Sequence, residues 1–393
     1  MRYDGGMKKN RKKIEQETRK KTLLGGISVC EFLEQYWQKK PLLIRAAIPD
    51  FKGLLSAEEL ARLACEEDVQ SRLVSHLRGK WQQEQGPFED TRFFALPKKS
   101  WTLLVQGVNH HLPEAAALLR QFDFIPHARL DDLMVSYAPD GGGVGPHVDS
   151  YDVFLLQGLG KRLWRISGQK DLSLVDGAPL RILKNFETKQ EWLLQPGDML
   201  YLPPQIAHWG IAVGDCMTYS IGFRAPSAQE LASQFMDYLQ ERINIEGMYA
   251  DPDLKSTCHP AKISKAMVSQ VSKMLSRIKW WREDVARFLG SYLSEPKLHI
   301  IFEKPNAIGL KAFRARLAKR GILLSLKSLM LFHGDQIFMN GECLDVSDIK
   351  PAERHLLMQL ADQRCLPAAS FKHERPVEQL HQWYLAGYIE FSH

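Results

Sequence analysis

The chain has 393 residues, 45% hydrophobic and 25% charged, a balance that excludes a largely disordered protein and at this length implies two or three domains. The formal net charge of +6 matches the surplus of nine Lys/Arg over three Asp/Glu within residues 1–22, so the body that follows is formally neutral and is not a broad basic surface. Six cysteines (Cys30, Cys65, Cys216, Cys258, Cys343, Cys365) form no CxxC pair, which excludes a disulfide framework or structural zinc site and fits a reduced, cytoplasmic protein.

Residues 1–21 form a basic tail, either an RNA contact or a solvated extension. No apolar run approaches the roughly 20 residues of a membrane helix, and Glu31 and Glu34 end the apolar stretch after residue 22 too early for a signal-peptide core, so no membrane partner is expected. An amphipathic helix is predicted over 29–37, stopped by Pro41, then a short strand over 42–44. Residues 57–77, introduced by Ser56 as N-cap, and 111–121 read as helices. From about 130 to 224 short apolar runs alternate with Gly, Pro, Asn and Asp, predicting strands at 133–138, 153–157, 162–166, 180–183, 191–194, 199–202 and 217–223 in an antiparallel sandwich or barrel. Helices follow over 228–245 and 265–293. A region from about 296 offers β-like stretches at 322–332 and 336–339 and helices near 352–362 and 376–385, a pattern compatible with a winged helix.

The informative segment is Asp140-Gly-Gly-Gly-Val-Gly-Pro-His147-Val-Asp149. On a strand, residues i and i+2 share a face, which would place the His147 imidazole beside the Asp149 carboxylate. Glycines ahead of them let the backbone enter without side chains obstructing the mouth. A second histidine, His208, follows the Pro196-Gly197 turn, a strand at 199–202 and the stop Pro203-Pro204. Two imidazoles and one carboxylate make the facial set that suits non-haem Fe(II) and leaves coordination positions open. His110, His111 and His127 lack such a context and read as surface or structural.

Alternation over 161–166 puts Arg162, Trp164 and Ile166 on one face. If that face is the interior, Arg162 is a guanidinium among apolar side chains, where it needs an anion. The distal carboxylate of 2-oxoglutarate would supply one, paired in the bidentate way that arginine favours. Ser136, sharing parity with Met134 and Asp132, is a candidate second donor; Thr218 and Ser220 are comparable. Asp140, at the rim, is either the partner of a substrate guanidinium or a turn residue.

These residues resemble the JmjC ribosomal oxygenases, and most closely the bacterial ribosomal-protein arginine hydroxylases. The resemblance is carried by Glu31-Phe-Leu-Glu-Gln-Tyr-Trp, Arg72-Leu-Val-Ser-His76, Trp101-Thr-Leu-Leu-Val-Gln-Gly-Val-Asn109, the glycine-rich metal segment, residues 196–208 and Tyr219-Ser-Ile-Gly-Phe-Arg-Ala-Pro226. It implies a mainly β fold with helices: a double-stranded β-helix (JmjC/cupin barrel) over 22–226, a helical dimerisation region over 227–295 and a winged-helix-like domain over 296–393. It further implies Fe(II) on His147, Asp149 and His208, 2-oxoglutarate on Arg162 with help from Ser136, dioxygen as co-reactant, a homodimer, and a ribosomal-protein substrate, most closely an arginine of large-subunit ribosomal protein sixteen hydroxylated at its β-carbon. Rival readings are a histidine hydroxylase, a histone demethylase, a cupin metalloenzyme independent of 2-oxoglutarate, and a non-catalytic ribosome-binding scaffold. The resemblance does not extend to residues 1–21.

Overall fold

The computed structural model describes residues 23–392, so the basic tail, with its two readings, lies outside the described residues. Helix α1 (Val29–Gln35) opens on a Ser28 cap that accepts from Glu31 N and buries Phe32 completely. Strand β1 (Leu42–Ile44) follows, as expected. Helix α2 (Ala57–Leu63) carries a full capping box between Ser56 and Glu59. It is shorter than the predicted helix over 57–77, because β2 (Ser71–Leu77) is a strand between β3 (Lys80–Gln85) and β4 (Trp101–Val105). Cross-strand pairing there overrides the helix-like spacing of apolar residues. Strands β3 and β4 were not legible in the sequence. Helix α3 (Asp90–Phe94) connects them, and α4 (Pro113–Leu119) falls within the predicted 111–121.

The barrel is completed by β5 (Leu130–Ala138), β6 (Val153–Ser167), β7 (Gln190–Leu194), β8 (Met199–Leu202) and β9 (Ala207–Phe223). Neighbouring strands run β1-β8-β6-β9-β5-β4-β2-β3, with β7 on the second half of β6, which is the expected double-stranded β-helix. Two predicted strands, 153–157 and 162–166, are one: at Gly158-Leu159-Gly160 the chain does not turn but bends through register shifts against β9. Gly160, at φ 59°, lies so close to β9 that a Cβ there would sit 1.9 Å from Asp215 O. Residues 180–183 form no strand; Leu183 makes an isolated bridge to Leu174 and donates to Pro146 O (2.8 Å), so this segment lies across the metal loop.

Aromatic side chains Phe32, Phe122, Phe154, Tyr201 and Phe223 tie the N-terminal helices to the outer face of the barrel. The opposite face, with Val153, Leu155, Trp164, Ile166, Leu194 and Leu200, forms the barrel interior. At the root of β6, the fully buried Asp152 carboxylate accepts from Tyr201 OH (2.6 Å) and Gln38 Nε2 (2.9 Å) and pairs with Arg129 (3.4 Å).

Three helices follow: α5 (Ala228–Gln240), α6 (Lys265–Leu275) and α7 (Arg282–Ser294). The predicted helix over 265–293 is interrupted at 276–281. Beyond it lie α8 (Leu310–Leu317), β10 (Ile322–Leu324), β11 (Met330–His333), β12 (Gln336–Met339), β13 (Glu342–Asp345), α9 (Pro351–Gln363), β14 (Cys365–Leu366), α10 (Glu374–Leu385) and β15 (Ile389–Phe391). The predicted stretch over 322–332 is thus two strands of different sheets: β14-β10-β15, and the meander β11-β12-β13. A separate core around Phe313, Leu317, Leu357, Leu380 and Trp383 holds this region together. Lys327 Nζ reaches Asp68 (2.7 Å) to join it to the barrel. No described helix is long and apolar enough to cross a membrane.

Candidate metal and cosubstrate site

His147, Asp149 and His208 converge at the mouth of the barrel, each offering one ligand atom, all within 4.8 Å of one another. His147 and Asp149 are not on a regular strand as expected. They lie in the loop between β5 and β6, where His147 makes an isolated bridge with His208, near the start of β9. Backbone pairing, rather than strand periodicity, therefore sets their positions. The loop runs close along β9: Gly141 N donates to Ala212 O and Ala212 N to Gly142 O, both at 2.9 Å. A Cβ on Gly143 would stand 2.3 Å from Gly210 O, so only glycine permits this approach.

Each imidazole is held by its Nδ1 on a carbonyl two residues earlier, His147 on Gly145 O (3.0 Å) and His208 on Ile206 O (2.9 Å). With Nδ1–H donating, both Nε2 atoms present lone pairs to the Asp149 carboxylate, at 3.8 Å and 3.5 Å. Burial, reinforced by the neighbouring His147 ring, pushes the His208 imidazole down to about 4, so it is neutral at pH 7 as a ligand must be. The donor set fits a divalent metal with open coordination positions.

Behind the triad lies a cavity of about 490 Å³. Arg162 is 5% exposed and enters it from β6, on the face shared with Trp164, as alternation predicts. Its Nη1 donates to Ser136 Oγ and its Nε to Cys216 Sγ, both at a long 3.4 Å, while Nη2 is buried with no hydrogen-bond partner. No carboxylate lies within 4.0 Å of this guanidinium among the described residues. A buried, incompletely paired arginine facing a cavity fits a carboxylate-bearing cosubstrate. Ser136, Thr218 and Ser220 all line the same space. Thr218 Oγ1 already donates to Gln157 Oε1 (3.0 Å), which leaves Ser136 as the hydroxyl in contact with Arg162.

Asp140 is exposed and lies outside the lining of this cavity; its Oδ1 accepts from Gly214 N (3.0 Å). Sequence reasoning did not single out Asp132 or Tyr151, both of which line the cavity near the metal ligands. Asp132 Oδ2 accepts from Gly107 N (2.8 Å), and burial, then the adjacent Asp131, raise its carboxyl above the usual range. Its parity with Ser136 was the available signal. Burial and the Asp149 charge likewise push the Tyr151 phenol up, so it stays neutral.

A double-stranded β-helix with a His–Asp–His set at its mouth and a buried arginine within defines a JmjC-type oxygenase, and residues 117–231 match the JmjC domain while residues 273–390 match the ROXA-like winged helix. The chain belongs to the ribosomal oxygenase family: it is 39% identical over 346 residues, 87% of its own length and 90% of the other's, to the ribosomal protein uL16 3-hydroxylase of Escherichia coli. It is also 42% identical over 205 residues, about half of each chain, to a probable ribosomal oxygenase of Haemophilus influenzae. Among solved structures, the Escherichia coli ribosomal oxygenase YcfD in complex with cobalt and 2-oxoglutarate superposes with a TM-score of 0.79 at 36% identity, covering 93% of this chain and 99% of that one.

Proposed function

We propose that this chain is an Fe(II)- and 2-oxoglutarate-dependent hydroxylase of an arginine side chain in a ribosomal protein. The observation that carries the reading is the unpartnered Arg162 Nη2, buried in the same cavity that the three metal ligands close. The name of the Escherichia coli relative supports uL16 as the substrate and the 3-position as the site. When bound, iron and 2-oxoglutarate supply the oxidation that turns a C–H bond and dioxygen into C–OH, with succinate and CO2 formed alongside.

His147, Asp149 and His208 would hold the metal, since their three ligand atoms lie within 4.8 Å of one another at the edge of the cavity. Arg162 and Ser136 would bind the far carboxylate of the cosubstrate and so orient it within the cavity that they share with the triad. Trp164, Val153 and Leu155 supply apolar walls that exclude water. Asp132 favours arginine over histidine: one of its oxygens is committed to Gly107 N, and the other is left for a guanidinium at the cavity wall. Asp140, tied to the Gly214 turn, is the alternative acid, and an Asp140→Asn variant that works at the wild-type rate removes it from the substrate site.

The test is incubation of the Fe(II)-loaded protein with 2-oxoglutarate, oxygen and a panel of ribosomal-protein peptides, following succinate and peptide mass. The expected result is one added oxygen on an arginine, absent in His147→Ala. The same gain on histidine changes the substrate and keeps the chemistry. Metal binding without succinate, with any peptide or none, overturns the proposal.

A further inference from the structure

Charge in the C-terminal domain is segregated. Residues 304–334 contain seven Lys/Arg and no Asp/Glu, whereas residues 335–392 contain five Lys/Arg and nine Asp/Glu. The neutrality of the folded body therefore conceals a local basic surface. Helix α8 organises it. Phe313 and Leu317, at i and i+4, are 0% and 1% exposed and fix the inner face, so Lys311, Arg314, Arg316, Lys319 and Arg320 are all left exposed on the helix and the turn after it.

Elsewhere in the chain arginines commonly pair with acids, as in Arg92–Glu84, Arg165–Glu191 and Arg354–Asp335. These five cations have no carboxylate within 4.0 Å among the described residues. Three of them are nevertheless held in place. Arg314 Nη2 donates to Phe371 O (3.1 Å), Arg320 Nε donates to Ser392 O (2.9 Å), and the Arg316 guanidinium lies 6.0 Å over the Phe391 ring. Contacts to carbonyls and a ring orient the guanidiniums without neutralising them, which lowers the ordering cost of meeting an external anion.

We propose that α8 and the turn after it form a docking surface for an RNA phosphate backbone. Repeated, exposed, unneutralised cations on one short element match a polyanion of regular charge spacing, and arginine forks suit phosphate. Contacts of this kind position the protein and do not read sequence. The choice of RNA as occupant rests on the ribosomal substrate proposed above. Binding is measured without turnover, so either proposal can fail while the other stands.

The experiment titrates the full-length protein, its Lys311→Gln/Lys319→Gln variant and a Lys8→Gln/Lys9→Gln/Lys12→Gln/Lys13→Gln tail variant into a fluorescent ribosomal-RNA hairpin at several salt concentrations. Polyglutamate and phosphatidylglycerol vesicles serve as comparison probes. The α8 variant is expected to bind RNA about tenfold more weakly at low salt, with the slope of log K against log salt reduced by about two, near one for each phosphate that is no longer neutralised. Its thermal unfolding midpoint is expected to match that of the wild type, which shows that it folds without reference to turnover. Wild-type RNA affinity in the α8 variant, with the weakening confined to the tail variant, overturns the proposal. So does binding of polyglutamate or vesicles as tight as that of RNA.

Discussion

His147 and His208 exchange both of their backbone hydrogen bonds, each at 2.9 Å, so two metal ligands far apart in sequence are locked as directly opposed partners. Their ring centroids lie 4.2 Å apart as a result. The bridge depends on how closely the glycine-rich loop follows β9, and that dependence gives a first prediction.

Gly143→Ala forces a Cβ against Gly210 O, a backbone atom that cannot rotate away. The loop must shift, and we expect a loss of about 1–3 kcal/mol of stability, as for other overpacked sites. Thermal unfolding measures that loss, and Co(II) titration should show weaker metal binding. Unchanged metal affinity would separate the loop from the triad.

Replacing Arg162 with methionine removes the buried guanidinium while roughly keeping its length. Without cosubstrate, Arg162→Met should be as stable as wild type or more so, by up to roughly 1–4 kcal/mol, because an incompletely paired buried charge opposes folding. With 2-oxoglutarate present the order should reverse, since the variant gains no stabilisation from the ligand. Thermal shift with and without 2-oxoglutarate reads both signs.

Asp132→Asn should raise KM for an arginine peptide with little change in KM for 2-oxoglutarate. A pH dependence follows from the raised carboxyl of Asp132, caused first by burial and then by Asp131. Guanidinium recognition needs the ionised form, so wild-type KM for the arginine peptide should rise as pH falls through a range above that of an ordinary carboxylate. The asparagine variant should lack that rise. A flat wild-type profile would argue against a salt link to Asp132.

The Asp152 carboxylate is 0% exposed and receives three side chains, Tyr201, Gln38 and Arg129. Asp152→Ala leaves the buried Tyr201 hydroxyl and the Gln38 amide without their acceptor, while the partly exposed Arg129 can turn to water, and should cost about 1–3 kcal/mol for each buried donor left unpaired. Tyr201→Phe removes the hydroxyl that donates to Asp152 and accepts from Gln38 N (2.8 Å), two bonds at once, and should cost about 1–3 kcal/mol. Chemical denaturation of the metal-free protein checks both without involving turnover.

In the winged-helix region, burial pushes the Glu353 carboxyl up, but hydrogen bonds from His373 and Lys372 outweigh it and the net shift is downward. A depressed carboxylate stabilises the fold above its unfolded value, and that contribution is lost as pH falls through the ordinary carboxylate range and below. Glu353→Gln should therefore be less stable than wild type at neutral pH, with the difference closing in acid. Melting curves across pH measure this; a gap that stays constant would sink the assignment.

The sequence by itself determined the ingredients of the site. Residue types and the glycine-rich segment were sufficient to nominate the metal triad, although the strand parity expected for His147 and Asp149 is absent, and alternation turned Arg162 and Ser136 inward, because it is a local property of the backbone. Boundaries such as Met199–Leu202 and Leu42–Ile44 were legible for the same reason. Only the tertiary structure decided that His147 meets its partner through an isolated bridge, that β6 bends through Gly160 instead of turning, and that Ser71–Leu77 is a strand. It also put Asp132 in the wall of the cavity behind the triad and tied Asp140 to Gly214. These outcomes depend on cross-strand register and on which backbones approach each other, and such pairings between distant segments leave no periodic trace in either segment alone.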